Sequence, residues 1–227
     1  MTTPLDKILK NAESFDLICI TRKSFNSIVS CRVQKKIYND NDVWAHLGVV
    51  IKNDVLPNIE NKIYFWHASA SAGGIQMSDF EKYIYFENSK IIKIGWCKLK
   101  NNPLHCNTND TDESYNKRIK KIKKQINDFY IHTKNSTYTF FMPYLSVNFL
   151  PFLKNIFHKE NKTDKEEKIV IKKSYFCSNF VTTIYQIIGV VDKSENPDTF
   201  FPETLIKYTD KNDKIFNNPI TIYMNKN

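Results

Sequence analysis

The sequence predicts a single domain, 1–227, of the α+β class, and three observations carry that prediction. Apolar, β-branched runs of strand length crowd the first hundred residues, at 15–20, 43–52, 62–68 and 90–98. Helical patterns dominate the second half, at 117–132 and in the apolar stretch from Cys177 to Val191. The chain has 227 residues, 41% of them hydrophobic, enough for one sizeable core and too few for several. Strands gathered ahead of helices point to α+β rather than to an alternating βαβ chain.

Taken in order, residues 4–11 read as a short helix. Phe15-Asp16-Leu17-Ile18-Cys19-Ile20 follows as a strand, with Cys19 acting as a buried apolar side chain. A Ser/Asn-rich loop over 22–27 leads to a short helix at 28–38. The run 43–52 is a buried strand, the Asp/Pro/Asn stretch 53–58 a turn, and 62–68 the returning strand of an antiparallel hairpin. The small residues of 69–74 form a loop, 79–85 a helical turn, 90–98 a further strand and 101–114 a polar loop.

In 117–132 the spacing of Ile119, Ile122 and Ile126 predicts an amphipathic helix. Its cluster Lys117-Arg118-Ile119-Lys120-Lys121-Ile122-Lys123-Lys124 is expected to be a solvated face in preference to a patch for acidic lipid, nucleic acid or protein. The stretch 138–157 is strongly aromatic; within it 144–157 is expected in the core in preference to an exposed face for acyl lipid, and the charged segment 159–168 is expected as a mobile insertion. The stretch 196–205, with Pro197 and Pro202, is expected as an ordered loop rather than an element.

Several classes fall away on composition. The five cysteines are odd in number and show neither C-x-x-C nor zinc-site spacing, so a disulfide framework and a metal centre are not expected. Free thiols fit a reducing, cytoplasmic compartment. Residues 1–10 lack the apolar core of a secretory signal. The most apolar run, 180–191, is too short to span a bilayer and contains Thr182, Thr183 and Gln186. The net charge of +9 accompanies heavy use of Lys, Asn and Ile throughout, and no nucleic-acid module stands behind it, so nucleic acid is not an expected partner.

Two distant segments carry chemistry. Trp44-Ala45-His46-Leu47-Gly48-Val49-Val50-Ile51 sets a histidine at the mouth of a buried strand, and Tyr175-Phe176-Cys177-Ser178-Asn179-Phe180-Val181 sets a cysteine at the start of a buried helix. A helix N-terminus favours a thiolate, because its unpaired N–H groups and dipole stabilise negative charge. An imidazole brought beside it completes a nucleophile and base pair. His67, in Tyr64-Phe65-Trp66-His67-Ala68, ends the strand hairpinned to that of His46, where it can orient the first imidazole. Taken singly, such residues are more often core or surface groups; the three in this order are the candidate site. His105, His132 and His158 lack comparable context. Asp16 and Tyr175 are candidate supports.

These motifs resemble the circularly permuted NlpC/P60-type branch of papain-like cysteine hydrolases, which includes YiiX-like, poxviral-type and lecithin retinol acyltransferase-like proteins. Phe15-Asp16-Leu17-Ile18 resembles the family's opening Gly-Asp strand, with Phe15 in place of the glycine. Trp44 to Val50 resembles its His-x-Gly strand, and Phe80-Glu81-Lys82-Tyr83 its Leu-x-x-Tyr turn. Tyr175 to Val181 resembles its Tyr-Phe-Cys-Ser-Glu motif, with Asn179 replacing the acid, and Phe201-Pro202 its closing Pro loop. The third polar group is His67, closer to the retinol acyltransferase type than to YiiX-like members, many of which carry glutamate.

The resemblance implies a papain-like antiparallel sheet with the cysteine helix packed against it. It also implies hydrolysis of an amide bond through a thioester, with Cys177 as nucleophile, His46 as base and His67 as orienting group. No cofactor or metal is implied. A peptide or amide substrate is expected first, an acyl lipid or anionic membrane surface second, and a catalytically idle binding module is the alternative from another class. If the source is viral, host cytoplasm or a virion is the expected setting.

Overall fold

The apolar run after Asp16 forms β1 (Leu17–Arg22), and the rest of the fold is arranged around it. The computed structural model describes residues 4–108, 110–138, 172–210 and 213–224. Within these, β1 lies between β2 (His46–Ile51) and β5 (Ile91–Cys97), antiparallel to both. β3 (Tyr64–Ser69) pairs with β2, β4 (Gly74–Asp79) with β3, and the short β6 (Thr137–Tyr138) and β7 (Ser174–Tyr175) extend that side. On the far side β10 (Ile220–Tyr223) closes the order β10-β5-β1-β2-β3-β4-β6-β7. A separate small hairpin joins β8 (Thr209–Asp210) to β9 (Asp213–Lys214). The fold is therefore α+β, as the sequence predicts; helices pack on both faces, and the expected antiparallel sheet is mixed, because the β6–β7 pair at its edge is parallel.

Period-2 alternation divides the core in two. Leu17, Cys19, Leu47, Val49, Ile51, Trp66 and Ala68 face one side, where they meet Phe180, Val181 and Ile184 of α5 (Cys177–Ile187). Ile122, Ile126 and Phe129 of α4 (Asp112–Thr133) join the same cluster. Ile18, Ile20, Val50 and Phe65 face the other side, against Ile8 of α1 (Pro4–Asn11) and Phe80 and Ile84 of α3 (Phe80–Glu87). Fully burying one such side chain contributes about 1.5–3 kcal/mol, so both clusters are needed to hold the sheet. α5 is buried over almost its whole length, and its buried polar side chains Ser178, Asn179 and Thr183 are hydrogen-bonded, which offsets their loss of water.

The structure corrects several element expectations. β4 and β10 lie where no strand was expected; β4 alternates too weakly for a sequence pattern, and β10 is a four-residue edge strand. α2 (Phe25–Tyr38) starts three residues early, because the Ser24 side chain accepts the Ser27 N–H and caps it. The stretch 196–205 contains a 3-10 turn, Pro197–Thr199, and then α6 (Pro202–Ile206), each with proline near its first position, where its missing N–H costs nothing. On α4, Ile122 and Ile126 are buried and Ile119 is half-buried, while Lys117, Lys120, Lys121, Lys123 and Lys124 face solvent. The insertion expected at 159–168, His158 and the aromatic stretch beyond Tyr138 lie outside the described residues.

Phe15 adopts φ +75°. A left-handed backbone is costly for any residue but glycine, and the resemblance places a glycine here. Phe15 is held by burial of its ring, by its N–H to the Val50 carbonyl at 2.8 Å, and by the Tyr185 hydroxyl on its own carbonyl at 2.9 Å.

Candidate active site

The two histidines come together. His46 Nε2 and His67 Nδ1 are 2.9 Å apart, with ring centroids 5.0 Å apart and planes at 86°. Phe65 stacks on His67 at 4.3 Å and fixes its ring. The Phe65 ring has room because position 48 is glycine: a Cβ there would lie 2.3 Å from it. Gly48 thus makes room for the ring that packs on His67.

Cys177 opens α5 and is 7% exposed. The backbone N–H groups of Leu47, Ser178 and Cys177 itself lie near its Sγ and favour the thiolate form. Asn179 supports this terminus: its Oδ1 accepts the Phe176 N–H at 2.9 Å, and its Nδ2 donates to Asp198 at 2.9 Å. The Ser178 hydroxyl donates to the Phe200 carbonyl. Asn179 therefore supplies a capping acceptor and a donor at once.

The thiol and His46 line one cavity of about 590 Å³, together with Arg22, Phe25, Ser69, Tyr138 and Pro202. They reach it from different sides. His46 shares its strand parity with Val50, on the face opposite α5, whereas Cys177 arrives with α5. His46 is the first residue of β2, one position before Leu47, and so lines the cavity from the strand end. Among the described residues no hydrogen bond joins Sγ to His46, whose Nε2 is engaged with His67.

Both groups are neutral at rest. Burial pushes the Cys177 thiol up to about 11, against the opposing pull of its three N–H donors. Desolvation therefore overrides the lowered thiol pKa that the helix N-terminus predicts. Burial, reinforced by the Arg22 charge, pushes His46 down to about 3 and holds His67 well below the usual histidine range. A neutral His46 can accept a proton from the thiol if its Nε2–H donates to His67, leaving Nδ1 free.

Other contributors gave no sequence signal. The Gln34 side chain donates to the Trp44 carbonyl at 2.7 Å and accepts the Glu203 N–H at 3.1 Å, while Glu203 accepts the Trp44 N–H at 3.1 Å. This buried triangle ties α2 and α6 to the segment leading into His46. Tyr138 faces the cavity with its hydroxyl pushed well up by burial and by the neighbouring thiol. Asp16 and Tyr175 do not line it. Asp16 accepts from the Trp96 indole at 2.8 Å and the Leu99 N–H at 2.9 Å, and Tyr175 accepts the Lys172 N–H at 3.0 Å, so both are structural. His105 pairs with Glu13 at 2.9 Å, and His132 bonds the Asp128 carbonyl at 2.6 Å, both away from the cavity. The described residues include no cluster of His, Cys, Asp or Glu able to hold a metal ion and no helix long and apolar enough to cross a membrane. Neither the protein-family models nor the curated proteins searched match this chain.

Proposed function

We propose that this protein is a papain-like cysteine hydrolase of the permuted type, cleaving an amide bond in a peptide or related substrate. The observation that carries the reading is the 2.9 Å His46–His67 bond at the rim of a cavity into which Cys177 also opens. In this mechanism His46 takes the Sγ proton as the sulfur attacks the carbonyl carbon, because the resting pair is neutral rather than a preformed thiolate and imidazolium. His67 holds His46 in the base-competent tautomer and faces the imidazolium as it forms. The Cys177 N–H and its neighbours at the α5 N-terminus receive the developing oxyanion. The imidazolium then protonates the leaving amine, and water, activated by His46, hydrolyses the thioester.

A second reading, acyl transfer from a lipid, is favoured by one specific feature. Phe25, which lines the cavity, is 78% exposed, an apolar ring at the mouth. Intact-mass spectrometry separates the readings. Incubation with a mixture of peptide amides should leave an acyl adduct on Cys177 that is absent in Cys177→Ala and strongly reduced in His46→Ala. An adduct formed only with phosphatidylcholine vesicles would move lipid chemistry to first place, and no adduct from either would leave an idle binding module.

A further inference from the structure

A buried hydrogen-bonding atom without a partner costs about 1–3 kcal/mol, so several lining one space mark a place built for something. His67 Nε2, the Tyr83 hydroxyl and Arg22 Nε are three such atoms. Their residues line a second cavity of about 310 Å³, which shares Arg22, Ser69, Ser71 and Glu87 with the cavity of Cys177. The His67 and Tyr83 rings are 5.4 Å apart edge to face, and the Arg22 guanidinium lies 5.1 Å from the centre of the Tyr83 ring.

The chemistry of the missing partner follows from the histidine pair. Two neutral imidazoles joined through His46 Nε2 and His67 Nδ1 have two arrangements. If His67 Nδ1–H donates, His46 carries its proton on Nδ1 and cannot act as a base there. If His46 Nε2–H donates, His46 Nδ1 is free to accept the thiol proton, and His67 must carry its own proton on Nε2. In that base-competent arrangement His67 Nε2–H and Arg22 Nε–H are both donors lacking an acceptor, and the Tyr83 hydroxyl can supply a third.

We propose that the second cavity binds an oxyanion, a carboxylate or phosphate oxygen accepting from His67 Nε2, Arg22 Nε and Tyr83, and that its binding selects the tautomer in which His46 is a base. The carboxylates lining the cavity are already engaged. Glu87 pairs with Arg22 at 3.3 Å and Lys90 at 3.2 Å, and Asp79 caps α3 through the Lys82 N–H at 3.1 Å. Lys82 adds a cation to the lining. The three atoms are shielded from solvent, so binding requires the half-buried Tyr83 or Arg22 side chain to move aside. The oxyanion is either a free ion or a group of the substrate reaching across from the first cavity.

Only the catalytic consequence rests on His46 being the base; binding itself does not. The test is histidine ¹⁵N NMR on the otherwise intact Cys177→Ala protein, titrated with inorganic phosphate or with formate. The expected result is a saturable change at His67 toward the Nε2-protonated form, with affinity lowered at least about tenfold in Arg22→Gln and in Tyr83→Phe, as loss of one charge-assisted or buried hydrogen bond requires. No change at His67 with either anion, or unchanged affinity in both variants, would overturn the proposal. In the peptide assay, acceleration by phosphate identifies a free effector, whereas competition by phosphate identifies a substrate group. Cys177-dependent turnover without any His67 response sinks the oxyanion site alone; a His67 response in a protein that forms no adduct sinks the hydrolase alone.

Discussion

Alkylation of Cys177 with iodoacetamide, followed by peptide mass spectrometry, reads the protonation state of the proposed nucleophile directly. Burial raises this thiol from an ordinary value of 9.0 to about 11, a difference of about 2.7 kcal/mol between its two forms. At neutral pH the thiolate fraction is therefore about a hundredfold below that of the same cysteine in the urea-unfolded chain. A more basic thiolate is a better nucleophile, with a Brønsted slope of about 0.4–0.5, and that recovers just under tenfold of the loss. Folded Cys177 should thus label more slowly than unfolded Cys177 by a factor between about ten and a hundred, and poor access at 7% exposure acts in the same direction. The pH profile is sharper than the absolute rate. Labelling should climb about tenfold per pH unit and level off only near the folded pKa of about 11. His46→Ala should leave this profile in place, since no hydrogen bond joins the two groups at rest. A plateau at or below about pH 8 would refute the reasoning, because it would mean that the helix N-terminus and an imidazolium outweigh burial.

Three other outcomes are expected. Phe15→Gly should be less destabilising than Phe15→Ala by about 1 kcal/mol in urea unfolding, the reverse of the usual order, because φ is +75° and both variants lose the same ring packing. Gly48→Ala should cost about 1–3 kcal/mol and disturb the His67 ¹⁵N resonances, since its methyl would lie 2.3 Å from the Phe65 ring that stacks on His67. Finally, His46 binds a proton less readily folded, near pH 3, than unfolded, near 6.5; its contribution to stability is present above that window and is lost as pH falls through it, so His46→Gln should flatten the acid limb of the stability curve.

The central sheet was legible because its strands are β-branched runs bounded by turn residues, and burial of both faces made β1, β2, β3 and β5 strongly apolar. β4 was not, because Gly74-Ile75-Gln76-Met77-Ser78-Asp79 earns its place by pairing with β3 and carries little pattern of its own. The motif residues of the site were legible for a related reason: a histidine before an apolar strand and a cysteine before an apolar helix are local features. Gln34, Glu203, Arg22 and Tyr138 were not, since each acts only through partners distant in the chain. Gln34 and Glu203 are 169 positions apart and still share a buried hydrogen bond.

The misreading of the thiol has the same origin. A helix N-terminus is visible in a sequence, and its effect on a thiolate has a known sign. How deeply that terminus is buried depends on the strand it lands on, which only the fold supplies. Here α5 packs over Leu47 and Val49, and the first turn carries Cys177 down with it, so desolvation exceeds the help of three N–H donors. The opposite parity of His46 then leaves the imidazole beside the cavity and off the sulfur. Proposed catalysis therefore depends on a substrate carbonyl filling the space that Cys177 and His46 both face, and on a histidine pair held in the one tautomer that leaves Nδ1 free. Neither residue is activated in advance, and both are positioned.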